Sequence, residues 1–235
     1  MSKLKNSLRN LAESFGYIIH KKRFNYWLHK YDIKTIIDIG ANEGQFATEF
    51  TAIFPFAQLH CFEPLNEPFT LLKNRFIKNK NVNIYNFALG EKEEELIMNL
   101  NEFTPSSSFL KMNEAHTKSF TYAVDTTQCK IQVKRLDDIA ASLKLTEPFL
   151  VKIDVQGFED KVISGGLNTI KKAAIIIVEV SFKELYENQP LFDKIYQIVT
   201  NLGFNYSGNF EQLLSPGTNE ILQADALFIK KGLPK

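Results

Sequence analysis

Asp38-Ile39-Gly40-Ala41-Asn42-Glu43-Gly44 is the stretch on which the reading of this chain turns. It continues Thr35-Ile36-Ile37, so a run that is apolar except for one acid near its end meets two glycines spaced G-x-x-x-G. The run predicts a buried parallel strand, and the glycines predict a tight turn where no Cβ obstructs a ligand lying against the backbone. An acid inside an apolar strand is costly without a partner, which marks Asp38 as a ligand-facing residue. In open α/β sheets such a site lies beyond the carboxyl ends of the strands, where the strand order reverses.

Outward from this turn, short apolar runs alternate with amphipathic stretches, the rhythm of an α/β fold with a mostly parallel sheet. Gln45 to Phe54 predicts a helix that stops before Pro55, and Gln58 to Phe62 a strand ending at Glu63-Pro64. Phe69, Leu72 and Phe76 fall on one face of a second helix, and Val82 to Phe87 is a third strand closed by Ala88-Leu89-Gly90. The rhythm then breaks. Leu96 to Asn101 and Gln128 to Val133 predict two added strands, separated by a polar loop from Glu102 to Thr127 that could cover a pocket. It resumes with a strand over Leu150 to Val155 and a helix from about Glu159 that stops at Gly165-Gly166. Ala173 to Val180 is the most apolar strand and carries Glu179 near its end. Leu191, Phe192, Ile195, Ile198, Val199 and Leu202 form a buried helical stripe capped by Gly203, and Ala226 to Ile229 closes the sheet.

At 235 residues the chain fits one main domain, over 34–235, preceded by a helical extension over 1–33. In the extension Leu4, Leu8, Leu11 and Phe15 recur at helical spacing before the basic Lys21-Lys22-Arg23. Packing on the sheet edge beside the acceptor and a role at a membrane surface are both open for it, and packing is preferred. A net charge of +1 supplies no global field for nucleic acid, and no apolar run reaches the length of about 20 residues that spans a bilayer. Cys61 and Cys129 show no ligand-like spacing with His20, His29, His60 or His116, so no metal site is expected. With no signal-peptide pattern at Met1 to Asn6, the expected location is cytoplasmic.

Strand-end polar residues supply the chemistry. Glu63 ends the second strand, where an acid can accept hydrogen bonds from both hydroxyls of a ribose. Asn86 closes the third, near the expected base or ribose. A nicotinamide enzyme also places an acid after its second strand, but its fingerprint is G-x-G-x-x-G facing a pyrophosphate. Here Glu43 lies between glycines of different spacing. S-adenosylmethionine has no phosphate and carries an ammonium that acids can hold, so the combination favours the methyl donor.

With these residues in view, the chain resembles the FkbM family of methyltransferases. The resemblance rests on Asp38 to Gly44, Phe62-Glu63-Pro64 and Asn86-Phe87-Ala88-Leu89-Gly90. It continues through Ser106-Ser107-Ser108, Leu136-Asp137-Asp138 and Lys152-Ile153-Asp154-Val155-Gln156-Gly157-Phe158-Glu159, in the family's order. It covers most of Thr35 to Lys230 and leaves the first 33 residues outside. It implies a class I, Rossmann-like fold: a doubly wound, mostly parallel seven-stranded sheet, here with an added β-hairpin. It further implies S-adenosylmethionine as cofactor, S-adenosylhomocysteine as product, and usually O-methylation of a hydroxyl on a sugar, glycan or secondary metabolite. The acceptor is therefore expected to be a small molecule or a glycan.

The cofactor contacts expected from motif and position are Asp38, Gly40, Asn42, Gly44, Glu63, Pro64, Asn86, Ala88 and Asp154. One departure matters: the family commonly has D-V-E-G where this chain has Asp154-Val155-Gln156-Gly157. Asp154 is the first candidate for the base that takes the acceptor's proton, with Glu179 and Glu159 as the other catalytic candidates. Each has a plainer role open to it: Asp154 as a helix cap, Glu179 as a partner for a lysine. Ser106 to Ser108 could be a flexible loop or acceptor-binding hydroxyls. A nicotinamide-dependent oxidoreductase and a non-catalytic binding module are the alternative functions.

Overall fold

A computed structural model describes residues 26–101, 109–110 and 126–233. The stripe from Leu4 to Phe15, the basic triplet, Ser106 to Ser108 and His116 lie outside the described residues. The central sheet has seven strands: β1 (Thr35–Ile39), β2 (Gln58–Phe62), β3 (Val82–Tyr85), β7 (Phe149–Ile153), β8 (Ile175–Ser181), β9 (Phe204–Leu214) and β10 (Ile221–Lys230). Their spatial order is β3-β2-β1-β7-β8-β10-β9. Pairings from β3 to β8 are parallel, while β10 runs antiparallel to both its neighbours. The chain leaves β1 toward β3 and returns to place β7 on the other side of β1. The order therefore reverses between β1 and β7, directly above the glycine turn.

Alternation along the buried strands sorts the helices into two layers. Ile36, Leu59, Leu150, Ile175 and Ile177 pack against Ala47, Phe50 and Ile53 of α1 (Gln45–Ile53) and Leu72 of α2 (Asn66–Arg75). Ile37, Ile39, Val151, Ile153, Ile176 and Val178 face the opposite layer. That layer draws on α3 (Leu136–Leu143), α4 (Glu159–Gly165), α5 (Leu167–Ile170) and α6 (Phe192–Asn201). Helices on both faces make the sheet doubly wound, as expected. Leu28 and Tyr31 of a 3₁₀ turn (Tyr26–Tyr31), together with Ile33, join the α1 layer. The last residues of the predicted extension thus share the domain's core.

The added strands form a separate three-stranded sheet, in the order β4 (Ala88–Leu89), β6 (Thr126–Lys134), β5 (Glu94–Asn101). β5 and β6 are the antiparallel hairpin predicted from the sequence. Val82 to Phe87 does not run as one strand: β3 ends at Tyr85, and Ala88–Leu89 leaves the main sheet to pair with β6. β9 is not among the strands that the sequence predicts. It is a polar edge strand interrupted by Gly208, with most residues exposed, so it lacks the alternation that marks a half-buried strand. Gly203, at φ +91, ends α6 as expected.

Candidate active site

A cleft of about 570 Å³ opens above the carboxyl ends of β1, β2, β7 and β8, within the size range of small-ligand sites. One wall is apolar, with Phe46 and Phe50 from α1, Leu65, Met98 and Phe109. The polar wall carries seven carboxylates, Asp38, Glu49, Glu63, Asp154, Glu179, Glu211 and Asp225, against a single described cationic side chain, Lys152.

The glycine turn is built by packing as much as by ligand access. Gly40 has φ +81, and a Cβ there would lie 1.8 Å from the backbone oxygen of Asp154. The turn after β1 therefore rests on the turn after β7. Gly44, at φ +87, serves a different contact, since a Cβ would meet Leu72 and Phe76 and its absence lets α1 approach α2. Gly40 lines the cleft; Gly44 is not among the lining residues.

At the β1–β2 end, Asp38 is 1 % exposed, and its Oδ2 has no partner among the described residues. Burial pushes its carboxyl up to about 7, against the pull of the Lys152 ammonium. Glu63 is also buried. Its Oε2 accepts from the Asn42 backbone N–H at 2.8 Å and its Oε1 from that of Leu65 at 2.9 Å. Burial still raises Glu63 to about 7, because two neutral donors do not replace a cation. Asn42 lines the cleft at φ +49, with its own Oδ1 buried and unpartnered among the described residues. Pro64 and Ala88 complete this wall. Asn86 does not reach it: its Nδ2 donates to the carbonyls of Glu63 and Pro64, both at 3.0 Å. The expected base contact is instead a brace under the end of β2.

The β7–β10 end is organised around Lys152. Its side chain is 4 % exposed, and its Nζ lies 3.1 Å from Asp154 Oδ2 and 2.9 Å from Asp225 Oδ1. Burial alone would lower this lysine, but Asp154, Asp225 and Glu179 overcome it and hold the ammonium above its ordinary range. A permanently protonated lysine positions carboxylates and is no base. Gln156 holds φ +54, a left-handed backbone uncommon for such a side chain. Its Nε2 donates to Asp154 Oδ1 at 3.0 Å and Glu179 Oε2 at 2.8 Å, and its Oε1 accepts from the Tyr186 hydroxyl at 3.0 Å. Gln223 gives Glu179 a second amide donor at 2.7 Å. Burial, with Asp154 and Glu159 nearby, drives Glu179 well above the usual carboxylate range.

Of the three catalytic candidates, Asp154 and Glu179 line the cleft and Glu159 does not. Glu159 is 3 % exposed, and its Oε1 accepts from the backbone N–H groups of Val155, at 3.2 Å, and Gly157, at 3.0 Å. It clamps the turn that presents Asp154 and Gln156. Sequence reasoning missed Asp225, Gln223, Glu211 and Phe210, which all come from the β9–β10 hairpin. One signal was present: Asp225 stands between Ala224 and Ala226, an acid in an apolar strand like Asp38.

The FkbM methyltransferase domain matches residues 38–206, from the acid of the glycine turn to the first part of β9. The chain belongs to the FkbM methyltransferase family. It is 28% identical over 165 residues to the 2-O-methyltransferase NoeI of Sinorhizobium fredii, the alignment spanning 66% of each protein. The crystal structure of an FkbM methyltransferase from Methylobacillus flagellatus superposes with a TM-score of 0.54 at 13% identity. That likeness covers 84% of this chain but 44% of the larger protein, and it shows the shared fold. The fold is the class I methyltransferase sheet. Among the described residues no helix is long and apolar enough to cross a membrane.

Proposed function

We propose that this protein is an S-adenosylmethionine-dependent O-methyltransferase acting on a hydroxyl of a sugar-like small molecule or glycan. The observation that carries the reading is the excess of carboxylates on the cleft wall, including a buried Asp38 oxygen with no partner among the described residues. A buried, unpartnered carboxylate oxygen is costly, and a cationic ligand relieves it. Nothing in this wall resembles a pyrophosphate cradle, so a dinucleotide gains no support from it.

The residues fit the donor. Glu63 keeps lone pairs beyond its two backbone contacts for ribose hydroxyls, Asp38 accepts from an ammonium, and the aromatic wall takes an apolar ring. When bound, S-adenosylmethionine supplies a methyl group on a sulfonium, a good leaving group. The protein's own work is to align the acceptor, exclude water and accept the hydroxyl proton. Asp154 is the group for that proton: its side chain is 34% exposed toward the cleft, with one oxygen held by Lys152 and the other by Gln156. Glu179 holds a proton readily and so is the poorer acceptor near neutral pH.

Calorimetry with S-adenosylmethionine, S-adenosylhomocysteine and NAD tests the cofactor; tight binding of NAD alone would refute the reading. Asp154→Asn tests the base. Donor affinity and melting temperature should hold, while turnover on a panel of hydroxylated acceptors falls about 10²- to 10⁴-fold. Near-normal turnover in that variant would remove Asp154 from the mechanism.

A further inference from the structure

The end of the sheet opposite the cleft is tied together by a row of backbone hydrogen bonds. The Asn81 carbonyl accepts from Leu59, the Lys34 carbonyl accepts from Gln58, and the Lys34 N–H donates to Pro148. Ala174 donates to Phe149, Lys230 to Ala174 and Lys231 to Gly203. The loops over 27–34, 54–57, 77–81, 144–148, 171–174, 202–203 and 230–233 therefore lie side by side and form the base of the domain. With seven strands spaced about 4.8 Å apart, the row is roughly 29 Å wide.

These loops hold nine lysines, no arginine and two acids. Asp32 is paired with Lys34 at 2.7 Å, and Lys230 directs its ammonium to the carbonyls of Lys171 and Leu202. Lys30, Lys80, Lys144, Lys171, Lys172 and Lys231 stand exposed, with no acidic partner among the described residues. Apolar side chains project from the same base: Phe56 is 92 % exposed, Ile77 is 75 % exposed, and Trp27 is half-exposed with the Lys30 ammonium 5.4 Å from its ring. The chain enters the described structure at this end, and residues 1–25 add six basic side chains against Glu13 alone. The net charge of +1 thus conceals a separation, with carboxylates around the cleft and lysines at the far end.

We propose that this base is a docking surface for a membrane containing anionic lipid. A layer of anionic headgroups attracts exposed lysines without requiring a set geometry, so a broad row serves it as well as a groove. The apolar side chains among the lysines enter the boundary between headgroups and acyl chains, where tryptophan and phenylalanine are favoured. Nucleic acid would account for the lysines but gives Phe56 and Ile77 no partner. Its recognition also draws heavily on arginine, which these loops lack. Docked in this way, the cleft at the other end of the strands opens away from the bilayer, so its ligands arrive from the aqueous side.

Co-sedimentation of the full chain with vesicles tests the surface, using phosphatidylcholine alone and phosphatidylcholine mixed with phosphatidylglycerol. The mixed vesicles should bind the protein about tenfold or more tighter, and high salt should release it. Lys80→Glu, Lys172→Glu and Lys231→Glu, combined in one variant, reverse charges across the row and should weaken that binding about a hundredfold or more. Phe56→Ser keeps every charge and should weaken it about fivefold. Melting temperature should hold in both variants, since all four sites are exposed. No preference for the mixed vesicles overturns the proposal, and so does full binding after the charge reversals, which would leave the base without a part in it. Unchanged affinity in Phe56→Ser, or tighter binding to a duplex oligonucleotide than to the mixed vesicles, overturns the assignment to lipid.

Discussion

The two ends of the cleft treat the same kind of side chain in opposite ways. At the β7–β10 end, carboxylates surround a buried ammonium and accept from carboxamides, so most of their charge is answered within the protein. At the β1–β2 end, Glu63 has only backbone N–H donors and Asp38 Oδ2 has no partner among the described residues. The contrast separates two uses of an acid near a ligand. One end is assembled in advance and holds a geometry, while the other is left unfinished and gains most when a cationic ligand arrives.

That contrast can be broken most directly at Lys152. Lys152→Ala removes the cation from between Asp154 and Asp225 and should destabilise the protein by about 3–5 kcal/mol in chemical denaturation. Adding Asp225→Asn to that variant should restore part of the loss, because one uncompensated carboxylate is then gone. A loss below about 1 kcal/mol would mean that this end is not self-neutralised.

At the other end the effect should appear in binding rather than folding. Glu63→Ala should weaken S-adenosylhomocysteine by roughly 10- to 150-fold in calorimetry, the equivalent of a charge-assisted hydrogen bond of about 1.5–3 kcal/mol. Unchanged affinity in a folded variant would move the ribose contact elsewhere. Glu159 belongs to neither end. Glu159→Ala should cost about 1–3 kcal/mol of stability by leaving the Val155 and Gly157 N–H groups unpaired, and Glu159→Gln should recover much of it.

The smallest effect expected is one of pH. Asp38 and Glu63 have folded values near 7, above their ordinary values of 3.8 and 4.5. The folded protein therefore holds protons that the unfolded chain has released. The stability this contributes is complete below about pH 4 and is lost as pH rises through about 7. A cationic ligand favours the ionised carboxylates, so its stabilising effect should grow over the same interval. Thermal melts should show S-adenosylmethionine raising Tm by a few degrees more at pH 8 than at pH 5.5, about what 1 kcal/mol moves in a chain of this size. A larger shift at pH 5.5 would contradict the unfinished character assigned to the β1–β2 end.

How much of this was legible in the sequence depended on whether burial left a pattern. The strands over 35–39, 58–62, 149–153 and 175–181 are buried over almost their whole length and read as largely apolar runs. Asp38 and Glu63 stood out because an acid at the end of such a run has few structural reasons to be there. β9 was missed because an edge strand with an exposed face carries no such run, and with it went the hairpin residues that line the cleft. Asn86 and Glu159 were placed near the cleft by motif and strand position, but only the backbone groups they bind reveal that they brace it. Those groups come from positions 155 and 157 for Glu159, and 63 and 64 for Asn86, and no periodicity encodes them.

The reversed direction of β10 has a consequence for how this enzyme can change. Because β10 runs against its neighbours, it enters the sheet rather than leaves it at the cleft, bringing Gln223 and Asp225 to the cleft wall beside Asp154, the proposed acceptor side. The turn over 215–220 that feeds it is mostly exposed and projects beyond the last β8 partner, Ser181. Insertions at exposed turns of this kind are well tolerated. The part of the molecule proposed to meet the acceptor is thus borne on a peripheral arm, far along the chain from the glycine turn. Lineages, or engineers, can lengthen and recharge that arm to reach new acceptors while the methyl-donor machinery stays as it is.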